Sequence, residues 1–131
     1  MSDSLMTIRQ MCDLYEVTPR TLRFYEAKEL LFPIREGQKR WFTKRDRARL
    51  TLILRGKRYG ISLESIRQLL DLYDRDDTRG TQLAAAIDVA GARLAEMRAA
   101  RDELNGLIAE LEQELDGAER DLTAIRTDTA A

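Results

Sequence analysis

The feature that most limits the fold of this chain is an apolar stripe in its second half. Between residues 83 and 125, thirteen positions follow alternating four- and three-residue steps, and twelve of them are apolar. This spacing, kept over six heptads, is typical of a coiled coil, and one helix cannot bury such a stripe alone. We therefore predict a coiled-coil dimerisation helix over 81–126 and a disordered tail over 127–131. The residues expected in the dimer seam are Leu83, Ile87, Leu94, Met97, Leu104, Ile108, Leu111, Leu115 and Leu122.

Charge divides the chain at about the same place. Residues 1–60 hold 14 Lys and Arg against 7 Asp and Glu, whereas residues 61–131 hold 8 against 16. Seven of the eight aromatic residues also lie in the basic part. This asymmetry indicates a basic head and an acidic tail with different roles. The acidic side chains either keep the dimer soluble or bind an effector or partner near Arg101, which interrupts the stripe.

The basic head begins with two short helices. The run from Thr7 to Gln10 has the form of a capping box, and Thr18-Pro19 starts a second helix that we expect to end near Lys28. The gap between them is short enough for a helix-turn-helix.

A wing and two further helices follow. Pro33 opposes helix and Gly37 suits a hairpin turn, so we expect a two-stranded wing with at least one of Trp41 and Phe42 in the core. Thr43 then caps a third helix and Ser62 a fourth. The polar run over 74–80 is the expected boundary of a winged helix-turn-helix domain over 5–75.

Cations are concentrated where such a domain meets DNA. Arg20 and Arg23 share one face at the start of the second helix, which in a helix-turn-helix enters the major groove. The wing contributes Arg35, Lys39 and Arg40, and the end of the third helix contributes Arg55, Lys57 and Arg58. The alternative is an ordinary solvated surface, and the aromatic residues of the wing would then serve only packing.

Residues 7–73 resemble the DNA-binding domain of the MerR family of bacterial transcription regulators. The specific part of the match is the string Arg20-Thr21-Leu22-Arg23-Phe24-Tyr25-Glu26. It is followed by matching positions at Leu30, Leu31, Pro33, Arg35, Gly37, Arg40, Phe42, Thr43, Leu50, Ile53, Arg58, Gly60, Ser62, Leu63, Glu64 and Ile66.

The resemblance implies a mainly α fold, in which two copies join through an antiparallel coiled coil. It also implies a homodimer that binds an inverted repeat in promoter DNA and distorts it, acting with RNA polymerase. The expected DNA contacts are Arg20, Thr21, Arg23, Tyr25, Arg35, Lys39, Arg40 and Arg58. The chain departs from metal-sensing members because no cysteine follows Cys12, and we expect no large ligand domain of the kind found in drug-sensing members. The existence of a small-molecule effector is therefore left as an open alternative.

The composition of the chain disfavours other functional classes of protein. The chain has no histidine and one cysteine, so we expect no enzyme, no metal site and no cofactor. No apolar run approaches the length of a membrane span, and we expect a cytoplasmic protein without membrane contact. A protein–protein adapter or an architectural DNA-bending protein remains an alternative; the first would not need the cations of the second helix, and the second would bind with little sequence preference.

Overall fold

The computed structural model describes residues 5–73 and 79–130. The chain divides into two compact units, Met1–Ala90 and Gly91–Ala131. The elements are β1 (Met6–Thr7), α1 (Ile8–Tyr15), α2 (Pro19–Ala27), β2 (Ile34–Glu36), β3 (Lys39–Phe42), α3 (Lys44–Arg58), α4 (Leu63–Tyr73) and α5 (Arg79–Ala130). The mainly α fold with a small antiparallel wing is confirmed, whereas most of the polar boundary predicted over 74–80 lies outside the described residues.

Side-chain caps begin the first four helices, as the sequence predicts. Each cap oxygen accepts a hydrogen bond from the backbone amide three residues later, which satisfies an amide that has no partner within the helix. The four bonds run from Gln10 N to Thr7 Oγ1, from Thr21 N to Thr18 Oγ1, from Asp46 N to Thr43 Oγ1 and from Ser65 N to Ser62 Oγ, each at 3.1 Å.

The predicted two-stranded hairpin is confirmed as β2 and β3, and β1 adds a third strand that the sequence analysis did not predict. The strand order is β1-β3-β2, and Met6 lies opposite Phe42 in an antiparallel register. A two-residue strand is too short to show the alternation by which strands are recognised in a sequence. Gly37, with φ of 62°, turns the chain between β2 and β3.

The core lies where the four short helices meet the inner face of the wing. It contains Met11, Leu22, Tyr25, Leu30, Leu31, Phe42, Leu50, Ile53, Ile66 and Leu70. Phe42 is fully buried while Trp41 is only partly buried, which confirms that one member of this pair belongs to the core.

Two charged side chains are also buried, and both attach the loop after α2 to helix α3. Asp46 accepts hydrogen bonds from Phe32 N at 2.9 Å and from Thr43 N at 3.1 Å. Arg49, one turn later, donates from Nε to the carbonyl oxygen of Leu30 at 2.6 Å. Because buried charges are costly unless they are hydrogen-bonded, these bonds hold the loop in one position on α3.

Helix α5 is longer than the sequence indicated. It begins at Arg79 and continues to Ala130, through positions 127–130 where we expected a disordered tail. Thr129 satisfies its hydroxyl within the helix, because Oγ1 donates to the carbonyl oxygen of Ile125 at 2.9 Å. Ala131 lies outside the described residues.

Helices α3 and α4 approach closely at Gly56. A Cβ atom at Gly56 would lie 2.8 Å from Cδ1 of Ile66, whose side chain is 2% exposed. We expect Gly56→Val to lower the free energy of unfolding by about 2 kcal/mol, because the valine would overpack this contact.

The matched control is Gly91→Val, since nothing lies within 4 Å of a Cβ atom at Gly91. Thermal unfolding followed by circular dichroism compares the two variants. A fall in Tm of equal size for both would contradict the packing explanation.

Candidate nucleic-acid interface

The first two turns of α2 present two arginines to solvent. Pro19 occupies the first helical position, and both Arg20 and Arg23 are exposed. Their side chains lie on the face opposite Leu22 and Tyr25, which are buried in the core. The exposed face of α2 can therefore offer guanidinium groups to base edges or phosphates while the other face anchors the helix.

Thr21 and Tyr25 lie beside these arginines but are held differently. Thr21 is partly buried, and its hydroxyl lies 2.9 Å from that of Thr18. Tyr25 is 4% exposed, and its burial raises the pKa of the phenol above its ordinary value. The phenol is therefore protonated at neutral pH and is chemically able to donate a hydrogen bond.

Within the described residues, no buried side-chain oxygen or nitrogen lacks a hydrogen-bond partner. A contact between the Tyr25 hydroxyl and DNA stays a prediction.

The wing arginines are joined to α2 by one carboxylate. Glu26 Oε2 accepts from Arg35 Nη1 at 3.1 Å, and Glu26 Oε1 accepts from Arg40 Nε at 2.5 Å. The side chains of Glu26 and Arg40 are 21% and 19% exposed, so solvent screens this ion pair less than a surface pair. Sequence reasoning assigned Glu26 no role, because its partners lie 9 and 14 residues away.

The third wing cation has a different environment. Lys39 Nζ lies 5.9 Å from the centre of the Trp41 ring, within the range of a cation–π contact. Trp41 Nε1 in turn donates to Glu36 Oε1 at 3.3 Å. These contacts orient Lys39 on the exposed side of the wing.

The cations at the end of α3 are exposed, and Arg58 is the last residue of that helix. A cation at a helix C-terminus interacts favourably with the helix dipole, which gives Arg58 a structural role as well.

The predicted seam residues of α5 are exposed in the single chain. Within the unit formed by Gly91–Ala131, the exposed fraction ranges from 42% at Met97 to 65% at Leu111. Arg101 donates from Nε and Nη2 to Oδ1 of the neighbouring residue Asp102, at 3.1 and 3.0 Å. This stripe of large apolar side chains is the face that a coiled-coil partner would cover.

Two further observations concern the ranges 5–73 and 79–130. They contain no group of three or more His, Cys, Asp or Glu residues arranged to hold a metal ion. They also contain no helix that is long and apolar enough to cross a membrane.

A helix-turn-helix whose second helix exposes arginines, beside a basic β-wing, defines a winged helix-turn-helix DNA-binding protein. A family model described as "MerR HTH family regulatory protein" matches residues 6–73. A second, described as "MerR, DNA binding", matches residues 47–114.

Known proteins agree with these family models. The HTH-type transcriptional regulator ZntR of Escherichia coli strain K12 is 33% identical over 108 residues, which cover 81% of this chain and 75% of that protein. ZntR of Escherichia coli O157:H7 matches equally. The crystal structure of HiNmlR, described as a MerR family regulator lacking the sensor domain and bound to promoter DNA, has 26% identity and a TM-score of 0.50. That alignment covers 86% of this chain and 79% of HiNmlR.

The chain belongs to the MerR family of DNA-binding transcriptional regulators. The family resemblance read from the sequence is confirmed. Membership also confirms that the chain is a regulator and not an enzyme.

The link between α2 and the wing can be tested through Glu26. We expect Glu26→Gln to lower the free energy of unfolding by about 1 kcal/mol, because one substitution weakens two charge-assisted hydrogen bonds. Urea denaturation measures this change.

Glu64→Gln is the matched control. The Glu64 side chain is 69% exposed, and its Oε2 lies 3.9 Å from Arg67 Nε. We expect this variant to unfold like the wild type, since exposed pairs contribute little. Equal losses in both variants would show that Glu26 does not hold the wing.

Proposed function

We propose that this chain binds an inverted-repeat promoter site as a homodimer and distorts the DNA to control transcription. The observation that carries the proposal is the basic surface formed by α2 and the wing. In this surface, Glu26 joins both wing arginines to α2, the recognition helix of the proposed complex. The description of HiNmlR as bound to promoter DNA supports a promoter as the target.

The proposed contacts divide into two groups. Arg20 and Arg23 of α2 meet the major groove, where arginine binds guanine in a bidentate manner, with Thr21 and Tyr25 contacting the adjacent backbone. Arg35, Lys39, Arg40 and Arg58 bind phosphates or the minor groove, which adds affinity that depends on salt. Phosphate must compete with Glu26 for the two wing arginines, so binding loosens an existing ion pair as it forms a new one.

The exposed stripe of α5 supports the proposal of a homodimer. Two copies that pack these stripes together bury side chains such as Leu104, Ile108 and Leu111, and they present two recognition helices to two half-sites. Bending or untwisting the DNA between the half-sites then lets the dimer affect RNA polymerase at the promoter. A cytoplasmic location fits this role.

Arg23→Ala tests the proposed base contact. We expect the affinity for duplex DNA from upstream of its own gene to fall by about 10- to 100-fold, because a bidentate contact is lost. Fluorescence anisotropy at several salt concentrations measures the change, with Arg98→Ala, an exposed arginine of α5, as the control.

The outcome also separates the competing functions. Equal affinity of the wild type for upstream and random duplexes would favour an architectural protein. Absence of binding to either duplex at low salt would favour an adapter.

Leu111→Glu tests the dimer. We expect sedimentation equilibrium to give twice the chain mass of 15.1 kDa for the wild type and a dimer at least about 100-fold weaker for the variant. The reason is that the seam would bury two unpaired carboxylates.

Ala99→Glu is the control for this experiment, because position 99 lies on the helix face opposite the stripe. It should leave the dimer intact. Identical masses for Leu111→Glu and the wild type would contradict the proposed seam.

A further inference from the structure

A cavity of about 680 Å³ lies among α3, α4 and the first three turns of α5. All of its lining residues belong to the first compact unit, Met1–Ala90. The volume falls within the range of about 300–1,000 Å³ that is typical of small-molecule sites. The apolar part of the lining includes Leu52, Ile61, Ile66, Leu69, Leu83 and Val89.

The walls of this cavity are fixed by packing and by a hydrogen bond. Gly56 and Ile66 bring α3 and α4 together so closely that no Cβ atom fits between them without displacement. Gln82 Nε2 donates to the carbonyl oxygen of Leu72 at 3.2 Å, which ties the start of α5 to α4. The cavity is therefore formed before any ligand arrives, which lowers the cost of binding.

The charged groups among the described lining residues all have one sign. Arg55 and Arg79, both exposed, contribute to the lining, and no described lining residue is acidic. Within the described ranges, neither arginine forms an ion pair or a hydrogen bond. An apolar cavity with two unneutralised guanidinium groups is complementary to an amphiphilic anion.

The size of the cavity also bears on its occupant. Two turns of an α-helix form a cylinder about 10 Å wide and 11 Å long, with a volume of about 850 Å³. The cavity is smaller than such a segment, so a helix of a second copy could cover its Leu83 side in the proposed dimer seam without filling it.

We propose that this cavity binds a carboxylate with a compact apolar body, such as a medium-chain or aromatic carboxylic acid. The apolar body lies against Leu69 and Ile66, and the carboxylate accepts hydrogen bonds from Arg55 and Arg79. Binding itself does not depend on the proposed function. Only the consequence that the ligand acts as an effector of DNA binding rests on it.

Isothermal titration calorimetry of the full chain with octanoate, in the absence of DNA, tests the site. We expect saturable binding of one octanoate per chain at sub-millimolar concentration and much weaker binding of 1-octanol, which has the same apolar body without the charge. Arg55→Gln and Arg79→Gln should each weaken octanoate binding by about tenfold, because each removes a charge-assisted hydrogen bond. Arg98→Gln, outside the cavity, should bind as the wild type does.

Leu69→Trp, which places a larger indole side chain against the proposed apolar body of the ligand, provides a second test. We expect it to weaken octanoate binding by about tenfold while the far-ultraviolet circular dichroism and the sedimentation mass stay unchanged.

Several results would overturn the proposal. These are absence of octanoate binding to the wild type, equal binding of octanoate and 1-octanol, and arginine variants that bind like the wild type. Loss of the dimer in Leu69→Trp would show that a second copy occupies the cavity. Octanoate binding in a protein that does not bind DNA would leave this site intact while refuting the proposed function.

Discussion

The buried carboxylate of Asp46 is the interaction on which the arrangement of the DNA-binding unit depends. It completes the cap of α3 by accepting from Thr43 N and also accepts from Phe32 N in the loop after α2. One group thus connects three consecutive parts of the chain: the loop that leaves α2, the end of the wing and the first turn of α3. At 2% exposed, the carboxylate tolerates burial only because these donors replace water.

With the wing and α2 held in this way, Glu26 of α2 can form ion pairs with the arginines of the wing. Arg35 and Arg40 would repel each other on adjacent strands, and the shared carboxylate offsets that repulsion. The wing arginines are therefore held in place before DNA arrives, and their ordering costs less at the moment of binding. The same ion pairs also oppose weak electrostatic binding to DNA, because a phosphate must displace Glu26 from the wing arginines.

Local interactions were readable from the sequence, and distant ones were not. Caps such as Thr7 and Thr43 were predicted because donor and acceptor lie three residues apart, and alternation predicted that one of Trp41 and Phe42 lies in the core. Three features were not predicted: strand β1, the bonds of Glu26 and the α3–α5 cavity. Each depends on segments that come together only in the folded chain, and a local sequence pattern does not indicate such distant contacts.

Selection of duplexes from a random-sequence library by the wild-type chain, followed by sequencing, tests the central claim of a sequence-specific dimer most directly. The account predicts enrichment of one motif composed of two inverted half-sites, because two identical recognition helices read the two strands symmetrically. Enrichment of a single half-site would contradict the dimer. Absence of any enriched motif, despite retention of DNA, would contradict specific recognition by α2.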